Sequence, residues 1–489
     1  MNAEDCYLPG IDDDDGGEEL NFNIEQSLPE YKQTRLREVL ADFSDLFQQS
    51  LGRTTVVMHD IKLTDDRPFA LAQYRIAEKL KAPFEREINR LIIEGVLEET
   101  ESAWRSPVIP ILKSNKTDVR IVNDYKLLNE RTVDDIYPMI TPFEVLQKAA
   151  GKKFISKLDM NKAFNQIPLT ENSKQYTSFS CYLGTFCWKT MPAGLKNAPR
   201  TMARCMAKVL KGTEKFCSCL CDDITIFSNS FNEHLCHLRE IFCRLKEAGL
   251  TVSIGKSEFC MKRMTVLGHC LENGTISPSD SHIADVMRIG PQKTKSGVRA
   301  LLGLLGYHRQ MIPNYADITL CLNQLLKKGH PDRVCWEQCH TDALNKIKSI
   351  LSSKPVLVAP RFDREFIIMC DASNFCVSGI LAQSDDSGVE RNVAYFSRKL
   401  KPNEINFSTI EKEALAILDC CLKWAQFIYG YPVKIRTDHR ALEFLESVAK
   451  HNARIARWRV ILSSFDLNTE YRRGRDNGNA DALTRIEYD

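Results

Sequence analysis

The chain has 489 residues, of which 43% are apolar and 27% charged, a size and composition typical of a globular protein with several domains. Its formal net charge is only +2, but residues 1–31 hold ten Asp or Glu and no Lys or Arg. The remaining chain therefore carries 66 basic against 54 acidic side chains, a surplus that suits a polyanionic partner. No signal peptide opens the chain and no apolar run reaches ~18 residues, which argues against secretion and against a membrane partner.

Cysteine usage predicts the redox environment. The 18 cysteines are scattered through strand-like and helix-like segments. This distribution indicates reduced, buried thiols in an intracellular, cytoplasmic protein. Cys217, Cys219 and Cys221 alternate along the chain, which favours one face of a strand over a zinc site, because zinc-binding cysteine pairs normally have two to four residues between them.

The first 95 residues predict a leader followed by two helices. The acidic leader, residues 1–30, is expected to be disordered because it is highly charged and poor in core-forming residues. Helical periodicity begins near Pro29. A second, amphipathic helix is predicted from Ala77 to Glu94, where Gly95 ends it.

A basic β-hairpin is predicted next. An extended segment, Val108–Leu112, is bracketed by two prolines, and the stretch KSNKTDVRIVN that follows carries Lys113 and Arg120. Basic residues on a hairpin are ordinarily a solvated face. From this segment alone that interpretation is favoured.

The segment FISKLDMNKAFNQIPL predicts an apolar strand that ends at a carboxylate. Asp159 lies at the end of the strand, and Phe164 follows five residues later. Carboxylates at strand ends serve as metal ligands in many sites, although most strand-end Asp residues only form turns.

The segment CSCLCDDITIFS, from Cys217 to Ser228, predicts a buried hairpin whose turn is Asp222–Asp223. No Lys or Arg stands within several residues of this pair, so two buried carboxylates there need a compensating cation. A divalent metal is the usual solution, since Mg²⁺ prefers hard oxygen ligands. A surface Asp-Asp turn is the ordinary alternative for an isolated pair. A capping box at Ser230 and Glu233 predicts a helix that follows and ends at Gly249.

Seven motifs in a fixed order resemble the reverse transcriptase of gypsy-like long-terminal-repeat retrotransposons. They are VRIVNDYKLLN, KLDMNKAFNQIPL, MPAGLKNAP, the Asp pair followed by ITIFS, EHLCHL, KSEF and VLGHCLENGTISP. Each motif is weak alone, but the ordered set is specific. The resemblance implies a multidomain α/β and α+β chain with a right-hand polymerase of fingers, palm and thumb.

The same resemblance assigns the catalytic carboxylates. Asp159, Asp222 and Asp223 would hold two Mg²⁺ (or Mn²⁺) ions ~4 Å apart, which activate the primer 3′-hydroxyl and stabilise the departing pyrophosphate. Because Asp159 is 63 residues from the pair, the three carboxylates meet only if both strands belong to one sheet.

The resemblance also implies the nucleotide contacts. Lys113 and Arg120 match fingers residues that neutralise the incoming deoxynucleoside triphosphate. Phe164 matches the aromatic residue under the sugar, which excludes a 2′-hydroxyl by steric clash; a core aromatic is its ordinary alternative. Two positions depart from the family, which has an aromatic residue at Leu220 and usually Phe at Ala193, another expected nucleotide contact. A catalytically impaired, retroelement-derived nucleic-acid-binding protein is therefore the alternative to an active polymerase.

The C-terminal segment predicts a second acidic site. Asp371 ends a strand, and Glu413 lies on the apolar stripe of a helix that a capping box at Ser408 opens and Gly430 closes. Asp438 ends a further strand, and Asp481 stands at a helix start. Each acid alone is more often structural. Together they resemble ribonuclease H, which implies cleavage of the RNA in an RNA–DNA hybrid by two further Mg²⁺ (or Mn²⁺) ions.

The expected organisation follows from these motifs. The domains are residues 1–30 as a leader, 31–94 as a helical and extended lead-in, 95–272 as fingers and palm, 273–335 as a thumb-like segment, 336–362 as a connection and 363–489 as the ribonuclease H-like domain. Six arginines are expected to contact phosphate: Arg454, Arg457, Arg459, Arg472, Arg473 and Arg475. The expected partners are primer–template RNA/DNA, the RNA–DNA hybrid and deoxynucleoside triphosphates, with the oligomeric state left open. The resemblance further implies a piece of a longer polyprotein, in virus-like particles of the cytoplasm with access to the nucleus.

Overall fold

The computed structural model describes residues 22–48, 50–113, 117–272, 274–353, 356–437 and 452–471. By internal contacts the chain divides into a first unit, which runs to residue 145 and resumes at Lys152–Lys262, and a second unit, which comprises Leu146–Gly151 and the chain from Arg263 onward. The predictions for Asp438, Asp481, Arg472, Arg473 and Arg475 lie outside the described residues. Within the described residues, no helix combines the length and the apolar character that a membrane span requires.

Ten strands lie in the first unit. In chain order they are β1 (Asn23–Ile24), β2 (Leu97–Glu99), β3 (Val108–Leu112), β4 (Val119–Asn123), β5 (Phe154–Met160), β6 (Phe179–Cys181), β7 (Gly184–Trp188), β8 (Cys217–Leu220), β9 (Asp223–Ser228) and β10 (Val252–Met261). Five of them form the central sheet in the order β1-β10-β5-β9-β8. β2, β7 and β6 form a three-stranded sheet, and β3 pairs with β4 as the predicted hairpin.

Seven helices are described up to residue 262, and the fourth of them crosses the boundary between the two units. They are α1 (Glu30–Ala41), α2 (Glu78–Ile93), α3 (Lys126–Arg131), α4 (Pro142–Ala149), α5 (Glu171–Lys174), α6 (Ala198–Val209) and α7 (Phe231–Glu247), with short 3₁₀ helices at Ser44–Phe47, Ala163–Gln166 and Gln175–Thr177. Local signals set several boundaries. The capping box at Ser230 and Glu233 opens α7 as predicted, and Gly95 and Gly249 follow α2 and α7 with φ of +68°, a left-handed conformation that glycine adopts without a Cβ clash.

The predicted disorder of the leader is wrong for its last residues. β1 pairs in parallel with β10, and Phe22, Ile24 and Leu28 are buried. The ring of Phe22 packs edge-on against Phe47. These apolar side chains give residues 22–28 a share in the core.

The first part of the second unit joins a small sheet to a set of helices. The strands are β11 (Arg263–Val266), β12 (His269–Glu272), β13 (Thr275–Pro278) and β14 (Leu357–Val358), and the helices are α8 (Asp280–Arg288), α9 (Lys295–Tyr307), α10 (Tyr315–Ile318), α11 (Leu320–Gln324) and α12 (Gln338–Ser352), with a 3₁₀ turn at Arg309–Met311. Contacts divide the chain after Lys262, ten residues before the predicted palm boundary at 272.

The predicted connection, residues 336–362, does not form a separate element. It consists mainly of α12, whose Leu344, Ile347 and Leu351 share one hydrophobic core with residues of α8 and α9. β14 then pairs with β13. The segment therefore belongs structurally with the thumb-like helices.

A five-stranded mixed sheet completes the second unit. Its strands are β15 (Phe366–Ala372), β16 (Cys376–Ser384), β17 (Glu390–Lys399), β18 (Pro432–Thr437) and β19 (Asp466–Tyr471), in the order β17-β16-β15-β18-β19. The helices are α13 (Thr409–Lys423), α14 (Ala425–Ile428) and α15 (Ala453–Leu462). The capping box at Ser408 and Glu411 is present. The predicted single helix to Gly430 is wrong, because the backbone breaks at Trp424, whose buried indole packs against Phe396.

Candidate active sites

The register of the central sheet brings the first set of predicted carboxylates together. β5 and β9 are antiparallel neighbours, and Asp159 stands directly opposite Asp223. Side chains opposite each other across such a pair have Cβ atoms roughly 4.5–5.5 Å apart. Residues 64 positions apart in the chain are thereby adjacent in space.

The hairpin between β8 and β9 differs by one residue from the prediction. Its turn is Cys221–Asp222, and Asp223 is already the first residue of β9, paired with Leu220. Cys221 has a φ of +56°, which costs a non-glycine residue on the order of 1 kcal/mol. This tight turn holds Asp222 at the end of the sheet beside Asp223.

Electrostatics in this cluster favour a bound cation. Burial raises the pKa of Asp159 to about 6; Lys256 opposes the shift, whereas Asp223 and Asp222 add to it. Burial and the neighbouring Asp223 also raise the pKa of Asp222. Half-buried like charges of this kind are relieved by a divalent ion. Within the described residues, the oxygen atoms of these three carboxylates do not all lie within 4.8 Å of one another. The three side chains are therefore hard oxygen donors that are spaced more widely than the ligands of a closed metal site.

Two lysines that sequence reasoning missed compensate part of this charge. Lys157 precedes Asp159 by two residues on the same face of β5, and its Nζ lies 3.2 Å from Asp223 Oδ1. Lys256 comes from β10 and lowers the pKa of Asp159 and Asp222. Along the sequence neither lysine is close to the Asp pair, so only strand pairing reveals them.

A β-bulge in β10 supplies further groups. Ser253 pairs with Asp159 and Glu258 pairs with Lys157, so the segment between Ser253 and Glu258 is longer than its counterpart on β5. Ser257 in this bulge accepts a hydrogen bond from the Asp159 backbone N–H through its Oγ, at 3.2 Å. Glu258 is a fourth carboxylate near the cluster, and burial raises its pKa. The KSEF motif was the available signal for both Lys256 and Glu258. Bulges are frequent beside active sites because they redirect side chains.

Replacing Asp159 by Asn should stabilise the metal-free protein. The folded-state pKa of about 6 exceeds the ordinary value of 3.8, so at neutral pH the ionised carboxylate opposes folding by about 1–3 kcal/mol. That penalty is present above pH 6 and vanishes as the pH falls below 3.8, where both states are protonated. Thermal denaturation in EDTA should therefore give a higher midpoint for Asp159→Asn at pH 7 and a smaller difference at pH 4. Exposed Asp66→Asn is the control, and equal midpoints at pH 7 would contradict the prediction.

The predicted nucleotide contacts lie on three separate elements of the first unit. Arg120 is on β4 opposite Ile111, and the Lys113 N–H donates to the Asp118 carbonyl in the same hairpin. Phe164 is half-buried against the main core, in the 3₁₀ turn that follows β5. Ala193 is exposed in the loop before α6.

A buried amide fixes the turn that carries Phe164. Gln166 Nε2 donates to the carbonyls of Asn161 at 2.6 Å and Thr251 at 2.9 Å. Its Oε1 accepts from the Thr251 N–H at 2.8 Å. The turn after Asp159 is therefore tied to the start of β10, and the position of the Phe164 ring depends on this link.

The second set of predicted carboxylates is partly described. Asp371 is in β15, and Glu413 is 5% exposed on α13, which packs against β15 and β16. The contact with Cys420 and burial raise the pKa of Cys370 in β15, and the charges of Glu413 and Asp371 raise it further. The packing of α13 on β15 therefore places the elements that carry Asp371 and Glu413 side by side. β18 pairs in parallel with β15 and ends at Thr437, whereas Asp438 and Asp481 lie outside the described residues.

The arginines of α15 differ in their surroundings. Arg454 Nη1 lies 2.8 Å from Glu411 Oε1, and its guanidinium stacks 3.9 Å from the ring centre of Phe407. Arg454 thereby fastens α15 to the start of α13. Arg457 is exposed, with its Nε donating to the Ala453 carbonyl.

Two family models match the chain. The model described as reverse transcriptase (RNA-dependent DNA polymerase) matches residues 111–271, and the model described as an RNase H-like domain found in reverse transcriptase matches residues 361–465. The chain therefore contains a reverse transcriptase region followed by a ribonuclease H-like region. Domains of both families generally use divalent metal ions.

A curated relative resembles most of this chain. Over 448 residues the chain is 33% identical to the retrovirus-related Pol polyprotein from transposon 297 of Drosophila melanogaster, a match that covers 90% of this chain and 42% of the relative. The chain is thus similar, over most of its own length, to a retrovirus-related Pol polyprotein of a transposon. It spans less than half the length of that relative.

Solved structures share the fold. The foamy viral protease-reverse transcriptase in complex with double-stranded DNA has a TM-score of 0.79 at 22% identity and covers 91% of this chain and 79% of that chain. The same foamy viral protein in complex with an RNA/DNA hybrid has a TM-score of 0.75 at 22% identity, covering 91% and 61%. At this identity the likeness concerns the fold, a right-hand polymerase with a ribonuclease H-like domain.

Proposed function

We propose that this chain copies RNA and DNA templates into DNA and degrades the RNA strand of the resulting hybrid. One observation carries the polymerase assignment: Asp159 and Asp223 are cross-strand partners, with Asp222 in the adjoining turn. The complexes of the foamy viral relative with double-stranded DNA and with an RNA/DNA hybrid support nucleic acid as the partner. The substrates of the polymerase would be a primed template and deoxynucleoside triphosphates.

The first carboxylate set would hold two Mg²⁺ or Mn²⁺ ions. Asp159, Asp222 and Asp223 would be the ligands, because they are hard oxygen donors and a divalent cation relieves the burial and repulsion that raise the pKa of Asp159 and Asp222. Bound there, the ions supply activation of the primer 3′-hydroxyl and charge stabilisation of the leaving pyrophosphate. Lys157 holds Asp223 by an ion pair at 3.2 Å, and release of this pair frees the carboxylate for a metal ion. Lys256 reduces the repulsion among the carboxylates before an ion arrives.

The fingers hairpin would receive the nucleotide. Lys113 and Arg120 lie on the same two-stranded hairpin, where their charges would neutralise the triphosphate and orient it for in-line attack. The ring of Phe164 would stand beneath the sugar. The Gln166 amide holds the turn around that ring.

Phe164→Ala should relax selection against ribonucleotides. Loss of the ring removes the clash with a 2′-hydroxyl, so the ratio of ribonucleotide to deoxynucleotide incorporation should rise on the order of 10- to 100-fold. Steady-state primer extension with one nucleotide of each kind measures the ratio. Phe375→Ala, which removes a ring 52% exposed in another domain, is the matched control. An unchanged ratio in Phe164→Ala would assign this ring to the core alone.

The second carboxylate set would cleave RNA. Asp371, Glu413, Asp438 and Asp481 are its proposed metal ligands, and the packing of α13, which carries Glu413, against β15, which carries Asp371, supports the assignment. The ions there supply the same two-metal chemistry, with water as the attacking group. Arg457 and Arg459 are candidate phosphate contacts on α15.

Primer extension and hybrid cleavage by the unmutated chain test the proposal. Primed RNA templates and primed DNA templates should both be extended in the presence of Mg²⁺ or Mn²⁺, and the RNA of a labelled hybrid should be cut. Binding of primer–template without extension would instead favour the retroelement-derived binding protein that Leu220 and Ala193 suggest. Leu220 pairs with Asp223, so loss of the family's aromatic residue there alters the packing beside a metal ligand.

A further inference from the structure

Three metal-binding side chains meet at the start of α12. Glu337 is the N-cap residue, and Cys339 and His340 lie in the first turn. A Glu337 carboxylate oxygen, the Cys339 sulfur and a His340 ring nitrogen all lie within 4.8 Å of one another. Within the described residues, no other group of three His, Cys, Asp or Glu side chains is gathered so closely. None of these three is a proposed catalytic residue of the polymerase or the nuclease.

A second sulfur adjoins this group. The Cys321 thiol of α11 donates to the Cys339 carbonyl oxygen at 3.6 Å. This contact brings Cys321 of α11 against the residue that carries the first sulfur, so a small side-chain movement can add its thiol to the group. Two sulfurs, one imidazole and one carboxylate are four donors of the kinds that zinc accepts.

A cavity of about 210 Å³ adjoins the group and provides access from solvent. His330, Cys335, Glu337 and His340 contribute to its lining. A metal site needs such an entry path as well as its ligands. The donor cluster therefore has an entry path for an ion as well as candidate ligands.

The helix cap preorganises two of the donors. The Glu337 N–H donates to His340 Nδ1 at 2.9 Å, and the Cys339 sulfur lies 3.7 Å from the same nitrogen. A capping box explains the Glu337 and His340 geometry without a metal, but it does not require the two cysteines. An ion bound at Nδ1 would replace the hydrogen bond from the Glu337 N–H, whereas the positions of the side chains are already set by the cap.

We propose that Cys321, Glu337, Cys339 and His340 bind one zinc ion, which fastens α11 to the first turn of α12. Sulfur and imidazole ligands select zinc over Mg²⁺, because Mg²⁺ prefers an all-oxygen shell. The site is structural, since its ligands come from two helices of the thumb-like segment. It is independent of the proposed catalytic ions and of the outcome of any activity assay.

Cobalt titration of the full chain tests the proposal. The reduced, chelator-treated protein is titrated with Co²⁺ in excess Mg²⁺, which occupies the carboxylate sites. One equivalent of Co²⁺ should produce a thiolate-to-cobalt charge-transfer band, and Zn²⁺ should abolish it. The proposed catalytic ligands are all carboxylates and give no such band. A double Cys321→Ser/Cys339→Ser variant should lose it, whereas Cys243→Ser, at an exposed cysteine of α7, should retain it.

Trp336 provides an independent readout. Its ring centre lies 5.5 Å from that of His340, so bound Co²⁺ should quench part of the tryptophan fluorescence in the unmutated chain and much less in Trp336→Phe. Absence of the charge-transfer band, or its persistence in the double cysteine variant, would overturn the proposal. Quenching that is equal in Trp336→Phe would place the ion elsewhere and would also overturn it.

Discussion

Asp222→Asn should reduce DNA synthesis on the order of 10³-fold or more. The substitution removes a proposed metal ligand, and a catalytic ion would contribute several kcal/mol of transition-state stabilisation. The fold should survive, because burial and Asp223 raise the pKa of Asp222 and a neutral amide relieves that cost. Single-turnover primer extension on RNA and DNA templates measures the loss, and a gel-shift assay should show that primer–template binding is retained.

The second activity of the same chain provides the control. Hybrid cleavage by Asp222→Asn should equal that of the unmutated protein, since the nuclease carboxylates lie in the other unit. Asp66→Asn, at an exposed aspartate of the first unit, should leave primer extension unchanged. Template-dependent synthesis by Asp222→Asn at the unmutated rate would remove Asp222 from the metal-binding set and, with it, the proposed polymerase site.

Asp371→Asn should have the opposite pattern of effects. Cleavage of the RNA in a labelled hybrid should fall on the order of 10³-fold, because a proposed metal ligand of the nuclease site is lost. Primer extension should be retained. Glu413→Gln should act in the same direction. Since the Glu413 side chain is 5% exposed, its variant also needs a thermal denaturation curve to separate loss of metal binding from loss of folding.

Asp466→Asn, at an exposed position on the edge strand β19, is the matched control for the nuclease. It should cut the hybrid at the unmutated rate. If Asp371→Asn cleaves the hybrid as fast as this control, Asp371 is only a strand-end residue and the ribonuclease H assignment of its carboxylate is wrong.

Local sequence signals predicted much of the fold. The capping boxes at Ser230 and Ser408 open α7 and α13 where they were expected. The apolar residues of α7, spaced three or four positions apart, are buried in full, with Leu235, Leu238, Phe242 and Leu245 each at most 3% exposed. These features depend on residues within a few positions of one another, so the chain specifies them without reference to distant segments. The strand that carries Asp159 and the hairpin that carries Asp222 are likewise predicted from neighbouring residues alone.

The predictions are wrong where contacts between distant segments of the chain determine the local structure. Residues 22–28 were assigned to a disordered leader from their acidic neighbours, but β10 offers β1 a free edge to pair with. α13 was expected to continue to Gly430, but burial of Trp424 against Phe396 interrupts it. In both cases a tertiary contact outweighs the local composition.

The sequence by itself determined which acids the protein has, at which strand ends they stand and which family their spacing resembles. Only the tertiary structure decided their surroundings: that Asp159 faces Asp223, that Lys157 reaches this pair and that a bulge brings Lys256 to it. The reason is that a charge acts through distance in space and through burial, and both are set by the pairing of strands that lie tens of residues apart in the chain.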